Sequence, residues 1–306
     1  MKQSNGFLKE FKRESKSDKA FRIINIVYLG ICGIAVLYPL LYSLACSFSS
    51  TKAIVQGKVF LWPVDFTLDS YKAVLEYNMI GTGFLNSILY CVGATVISVI
   101  LLLLAAYPLS RKDLPGRKFF TYFFVVTMFF NGGIIPNYIL MKNLNLVGSR
   151  WSLIIAFMFS CYNMIIVKSY FQSSISPGLL DAAHIDGCND FMFFLRIAIP
   201  LAKPVIAVMV LFNMVSNWNG YFRALLYLTQ PETFNLQQVL RNILFVATMP
   251  ADIVSTVGDS SIQSLQNLLE QLRYAVLIVG MLPMMVVYPF VQKFFVKGMM
   301  IGAIKE

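Results

Sequence analysis

Six stretches of this chain are long, apolar and almost free of charge, and they constrain its fold more than any other feature. They are residues 23–46, 84–107, 119–141, 151–167, 197–216 and 274–291. A helix needs about 20 mostly apolar residues to cross the hydrocarbon core of a membrane. All six runs meet that length, the fourth being the shortest. The expected fold is therefore an all-α integral membrane protein with six transmembrane helices. Composition agrees, with 58% hydrophobic and 13% charged residues. Soluble domains carry about 25% charged residues, so these figures argue against a soluble enzyme and against a disordered chain.

The net charge of +10 would suggest nucleic acid in a soluble protein. In a membrane protein its meaning depends on location, because basic residues collect in cytoplasmic loops. Seventeen of the 25 basic residues lie in the N-terminal tail, in the loop between runs two and three, between runs four and five, and in the C-terminal tail. Both termini are thus expected in the cytoplasm, with a multi-pass chain in the plasma membrane. Residues 1–22 form the N-terminal tail, 23–296 the membrane domain and 297–306 the C-terminal tail. The first apolar run is 24 residues long, more than a signal peptide uses, so it reads as a retained span. Its end, Ser43-Leu44-Ala45-Cys46, only weakly resembles a lipoprotein cleavage box. The five cysteines show no CxxC spacing and read as small apolar fillers.

The interior of the runs holds no Asp, Glu, Arg or His; Lys203 sits near an end, where it can snorkel. Carriers driven by ion gradients need ionisable groups inside the membrane, and a channel needs a filter or a charged ring. Neither pattern is present. The runs do carry amides, including Asn131, Asn163, Asn213 and Asn217. These serve either as helix–helix glue or as the lining of a path for a neutral, hydroxylated solute. Asn131-Gly132-Gly133 followed by Pro136 either breaks run three beside a cavity or kinks it.

Between runs four and five lies Ser176-Pro177-Gly178-Leu179-Leu180-Asp181-Ala182-Ala183-His184-Ile185-Asp186-Gly187. Ser176 can cap a helix, Pro177 suits its first turn, and Gly187 can close it in the left-handed conformation. Asp181 near the start is favoured by the helix dipole. A short cytoplasmic helix is expected. Ala182 and Ala183 would let a partner approach its backbone, while Asp181, His184 and Asp186 offer polar contacts.

Asp181-Ala182-Ala183, three residues, Gly187, nine residues and Ile197-Ala198-Ile199-Pro200 together resemble the EAA motif of ABC importer permeases, with Asp in place of Glu and Ile in place of Leu. The resemblance implies that residues 176–200 form a coupling segment seated in a cleft of a cytoplasmic ATPase subunit. Asp181, Ala182, Ala183, His184, Asp186, Gly187 and Pro200 would be at that contact. Six spans with a cytoplasmic N-terminus resemble the MalG type of carbohydrate permease. Asn131–Tyr138, Asn217–Phe222 and the tail 295–305 are similar to the branch that imports complex oligosaccharides. In the maltose relative the tail reaches between the two ATPase subunits, and the similar tail here implicates Lys297, Gly298, Gly302 and Lys305; the resemblance also implies a bacterial plasma membrane.

No G-x-x-x-x-G-K-[ST] loop is present, so ATP and Mg are expected on partner ATPase subunits, with no cofactor in this chain. The lone His184 and the lack of any metal-ligand cluster argue against catalysis. The implied partners are two ATPase subunits, a second permease, an extracytoplasmic solute-binding protein and an oligosaccharide. The outer loops 47–83 and 219–273 would either dock the binding protein or pack on the membrane surface or the second permease. The second contains an amphipathic helical pattern from Leu236 to Leu244. Candidate solute contacts are Asn131, Tyr138, Asn163, Asn213, Trp218, Asn219 and Tyr221. Two rival readings are an ABC permease for a non-sugar solute and a stand-alone channel or carrier.

Overall fold

The computed structural model describes residues 15–130, 132–156, 158–247 and 272–289. All regular structure among these residues is helical. The first helix, α1 (Lys16–Ser47), begins at Ser15, whose hydroxyl accepts the Asp18 N–H at 3.2 Å and donates to the Asp18 carboxylate at 2.7 Å. That exchange satisfies one of the four N–H groups that every helix start leaves unpaired. Two short helices follow, α2 (Thr51–Val55) and α3 (Asp69–Glu76), before the long helix α4 (Asn78–Ser110).

The centre of the fold is α4. Its residues Val99, Leu102, Leu103 and Ala106 recur at helical spacing and are buried. They meet Met164, Val167 and Phe171 of α8 (Cys161–Ser174) and Val205 and Met209 of α12 (Lys203–Trp218). The opposite surface of α4 presents Leu85, Leu89, Val92, Val96, Ile100 and Leu104 outward. A helix apolar on all sides belongs in a medium that does not penalise apolar exposure. The same holds for α1, which is exposed over residues 23–39 and buries only Ala45, Cys46 and Ser47.

Three of the expected spans are single long helices: α1, α4 and α15 (Leu272–Pro289) are each long and apolar enough to cross a membrane. The other three runs are not single helices, and for run three a break is one of the two outcomes that Asn131-Gly132-Gly133 and Pro136 allow. Run three divides into α5 (Arg117–Phe129) and α6 (Ile134–Asn143), whose axes differ by 111°. Gly133 adopts φ +87°, a conformation that a side chain opposes. Pro136 falls in the first turn of α6, where its missing N–H removes no helical bond. The run is therefore broken, with the proline starting the second piece. Run four divides into α7 (Trp151–Ile155) and α8. Here Ser160 ends the break by accepting the Asn163 N–H at 3.3 Å. A capped restart satisfies backbone groups that an uninterrupted helix would have paired internally. Run five is covered by α12 together with the residues leading into it, which bend by 76° at Ala202. Counting each bent pair as one span gives five candidates among the described residues.

The end of the bundle at the start of α4 is closed by α13 (Tyr221–Tyr227) and α14 (Leu236–Ala247). The amphipathic stripe of α14 packs inward: Leu236, Val239, Leu240 and Ile243 join Trp218 and residues Leu272, Ala275 and Val276 of α15 in one buried cluster. Gly83 permits this approach, since a methyl group there would stand 3.1 Å from Val239 and 3.3 Å from the Leu236 backbone.

Candidate functional site

The segment between α8 and α12 forms a capped helix followed by a second, bent arm. The helix α9 (Pro177–Ile185) starts at Ser176, whose hydroxyl accepts the Leu179 N–H at 3.3 Å. It ends in a Schellman motif: the Cys188 N–H reaches the Ala183 carbonyl at 2.9 Å and the Gly187 N–H reaches the His184 carbonyl at 3.0 Å. Gly187 holds φ +78°, as its expected left-handed role requires. Asp181 lies one residue beyond the first turn, so the helix dipole acts on it less than a first-turn position would allow.

One face of α9 is anchored and the other is free. Ala183 is buried in the cluster formed by Tyr107, Phe171, Phe193 and Phe194, while Leu180 packs at its edge. Asp181, Ala182, Ile185 and Asp186 are exposed, Ile185 to 86%. Beyond Gly187, Asn189 caps α10 (Asp190–Phe193) by accepting the Met192 N–H at 2.7 Å. A π-helical turn over Phe194–Ala198 and a short piece, α11 (Ile199–Leu201), lead into the bend. Pro200 is exposed on that piece, while Ala198 and Ala202 beside it are fully buried.

An ionic cluster binds this arm to the end of α4. Arg111, whose side chain is only 14% exposed, donates to Asp113 through Nε at 2.9 Å and is ion-paired with Asp190. It also reaches the Tyr107 hydroxyl at 3.5 Å. Asp190 in turn meets His184 Nε2 of α9 at 3.3 Å. Hydrogen bonds from the Arg111 guanidinium hold the carboxyls of Asp113 and Asp190 below the usual carboxylate range. The same bonds raise Arg111 further, Asp113 being the largest cause. A cavity of about 470 Å³ opens beside the cluster, lined by residues including Tyr107, Arg111, Phe171, Asp181 and His184. In the sequence Arg111 stands out only as one of the basic residues of its loop, and no local pattern links it to Asp113 or Asp190. The available signal was the Asn189-Asp190 pair directly after Gly187, a start signature for a second helix.

The candidate solute contacts do not form one group. Asn219 and Tyr221 line an open cavity of about 410 Å³ with Ser216, Phe222 and Arg223. Tyr221 also borders a second cavity of about 400 Å³ with Gln237, Arg241 and Phe245. Tyr138 is half-buried and stacks on Tyr227 at 6.2 Å between centroids. Asn163 is half-buried near the start of α8. Asn213 is occupied internally: its Oδ1 accepts from Ser98 of α4 and its Nδ2 donates to the Met209 carbonyl, both at 2.9 Å. Trp218 is buried, donates Nε1–H to the Gly280 carbonyl at 2.9 Å and packs edge-on to Phe84. Asn131 and the tail residues Lys297, Gly298, Gly302 and Lys305 lie outside the described residues.

Three polar residues of α4, which no local sequence pattern marks, hold the segment leading into α14 in place. Asn86 Nδ2 donates to the carbonyls of Glu232 and Phe234 at 2.8 and 3.0 Å. The Tyr90 hydroxyl donates to the Thr233 carbonyl at 2.8 Å, and Ser87 accepts the Leu236 N–H at 2.8 Å.

Comparison with known proteins gives a consistent result. The family described as "Binding-protein-dependent transport system inner membrane component" matches residues 6–301. Protein LplC of Bacillus subtilis (strain 168) is 37% identical over 294 residues, covering 95% of this chain and 97% of that protein. The polygalacturonan/rhamnogalacturonan transport system permease protein YtcP of the same organism is 35% identical, over 94% of this chain and 99% of that one. Among solved structures, a bacterial ABC transporter involved in the import of the acidic polysaccharide alginate contains a chain of 35% identity with a TM-score of 0.83. The match covers 92% of this chain and 99% of that chain.

Proposed function

The chain belongs to the family of binding-protein-dependent transport system inner membrane components, and on that premise we propose that it is a permease subunit of an ATP-driven importer of oligosaccharides. The observation that carries the coupling role is the anchored, capped helix α9 with Asp181 and Ala182 on its free edge. A partner ATPase subunit that closes around this edge displaces α9. The buried side, through Ala183 and the Tyr107–Phe171–Phe193 cluster, passes the displacement to α4 and α8. Coupling requires that the ATPase bind one arrangement of this arm better than the other. ATP is hydrolysed on the partner subunits, and this chain supplies the transmission.

The oligosaccharide assignment rests on the similar proteins, whose names include polygalacturonan, rhamnogalacturonan and alginate. Tyr138, Asn163, Asn219 and Tyr221 remain the solute candidates with accessible side chains, aromatic faces and amides being suited to sugar rings. We assign Asn213 and Trp218 to helix packing, because their polar groups are used internally. A second permease completes the path, and an extracytoplasmic binding protein meets the outer loops. The tail from Lys297 to Lys305 is assigned to the ATPase contact on family resemblance.

Six crossings with both termini inside fit the bonding pattern. Arg111 joins Asp190, and Gln172 Nε2 donates to the Ser110 carbonyl at 3.5 Å; the charge rule assigns all of these to the cytoplasm. Asn86 joins Phe234, and the Gly148 N–H meets the Tyr227 carbonyl at 2.7 Å; these are assigned outside. The test is purification of the native complex followed by ATPase assays with its binding protein and a panel of oligosaccharides. The expected result is co-purifying ATPase subunits and stimulation by at least one uronate-containing or neutral oligosaccharide. Transport by this chain alone in liposomes, without an ATPase, would overturn the reading.

A further inference from the structure

We propose that Arg111 is a positioning residue of the importer: by clasping Asp190 it makes the end of α4 and the coupling arm move as one body. The proposal rests on the reading of α9 as the coupling helix and adds a second route by which α9 drives the bundle.

The coupling helix α9 is joined to the rest of the chain covalently at both ends. The first covalent link, Ile175–Ser176, is extended backbone: Ile175 has φ −109° and ψ 108°, and Ser176 has φ −75° and ψ 148°. The second runs through Gly187, the residue type with the greatest backbone freedom. Such links bend under load, so a displacement of α9 reaches α4 only through side-chain contacts. One contact is apolar: Ala183, with Leu180 packed at the edge, belongs to the cluster that contains Tyr107 and Phe193. The other is Arg111.

The geometry of Arg111 suits a clasp. Its guanidinium is planar and carries five donors in fixed directions. Here they serve three elements: Tyr107 on α4, Asp113 in the loop after α4, and Asp190 at the start of the second arm. Asp190 also accepts from His184, so the chain of contacts continues into α9 itself. With 14% of its side chain exposed, Arg111 is screened from water more than its partners, at 61% and 65%. The Asp113 pair is bidentate, Nε and Nη2 each taking one carboxylate oxygen, which fixes the orientation of the guanidinium; Asp190 is then held through Nη1 alone. Lysine, a point charge, would keep the attraction and lose the fixed angle.

Asp113 has a distinct part. It holds the guanidinium from its own loop, so the side chain is already oriented towards Asp190. Removing Asp190 therefore breaks the link to the arm and leaves Arg111 paired. Removing Arg111 leaves both carboxylates exposed enough to be solvated, which limits the damage to the fold.

The test uses the complete transporter in proteoliposomes with its binding protein, reading solute taken up per ATP hydrolysed. The variants are R111Q, R111K, D190N and the double variant R111Q/D190N, with A182W as a check on the coupling helix. Uptake per ATP should fall at least about five-fold in R111Q and in D190N, the lower end of typical coupling factors. ATPase activity should persist in both. The double variant should be no worse than either single one, since they break the same contact. R111K should fall between wild type and R111Q. D190N changes one exposed, isosteric group, so it reports on the clasp even if R111Q assembles poorly. An unchanged ratio in both R111Q and D190N, with A182W uncoupled, overturns the clasp and leaves the coupling helix standing. An unchanged ratio in A182W overturns the coupling helix and the clasp together.

Discussion

At the scale of single residues, the functional arm depends on two positions whose chemistry cannot be exchanged. Gly187 is in the left-handed region at φ +78°, yet a methyl group added there would meet no atom within 4 Å. The cost of replacement is therefore backbone strain alone, about 1 kcal/mol for Gly187→Ala. That loosens the Schellman end of α9 without disturbing the core. Gly187→Phe adds bulk on the exposed side, where the ATPase subunit is proposed to sit. Uptake should drop modestly for alanine and almost completely for phenylalanine, with membrane abundance near wild type in both. Uptake assays normalised to immunoblots check this, and normal uptake by the phenylalanine variant would refute it. Arg111 gives a pH dependence. It holds the Asp113 and Asp190 carboxyls below their unfolded values. A depressed carboxyl adds stability above the unfolded pKa, about 4, and loses it as pH falls through the folded value. The stability difference between wild type and R111Q should hold steady from about pH 7 to 5 and shrink below about pH 4. Thermal melts of the detergent-purified protein across that range measure it, and a difference that grows in acid would contradict the assignment.

At the scale of elements, close approach is set by glycine at two points. A methyl group at Gly83 would press on the Leu236 backbone at 3.3 Å, and one at Gly280 would lie 3.0 Å from Leu240 Cδ1. Backbone cannot yield as a side-chain tip can, so Gly83→Ala should displace α14 and cost about 1–3 kcal/mol. Gly280→Ala, which meets only the side-chain ends of Leu240 and Leu236, should cost less. Proteolysis of the segment before α14 should quicken in the first variant and change little in the second. Equal rates in both would show that the Gly83 contact does not hold α14. These contacts also show what the sequence could disclose. The apolar stripe of α14 was legible from Leu236 to Leu244 because helical spacing repeats locally, but the surface receiving it was not. Gly83 and Trp218 meet it from positions remote in sequence. The caps at Ser176 and Gly187 were legible for the same local reason. The break in run three was legible as one of two outcomes, and Gly133 decided it. The break in run four was hidden, since Ser160 as a cap competes with an apolar composition that suits a continuous helix. Asn86, Ser87, Tyr90 and Asp190 act across more than 70 residues or through ion pairs. No periodicity records such partners.

At the scale of the whole molecule, the bonds restrict how the chain threads the membrane. Arg111 and Asp190 are paired, so both lie on one side and the chain between them crosses an even number of times. That count is two if the broken runs three and four each cross, and zero if both are re-entrant. The loop after α6 distinguishes these cases, because its Gly148 N–H bonds to the Tyr227 carbonyl. Tyr227 follows α12, whose 16 residues span about 24 Å at 1.5 Å per residue. On the reading in which the bent arm and α12 together cross the membrane, Gly148 shares the side of Tyr227, and runs three and four then cross in spite of their breaks. Broken helices persist at membrane depth where they line a cavity or are buried in protein. Single cysteines at Ser149, Lys58 and Lys112, scored against the native cysteine background, test this threading. A membrane-impermeant maleimide added to intact cells should label the Ser149 and Lys58 positions, and should reach Lys112 only after permeabilisation. Labelling of Ser149 with the Lys112 pattern would make runs three and four re-entrant and reduce the crossings from six to four. The seventeen basic residues assigned inside would then still orient the chain, but Tyr138 and Asn163 would face the cytoplasm and could no longer meet a solute arriving from outside.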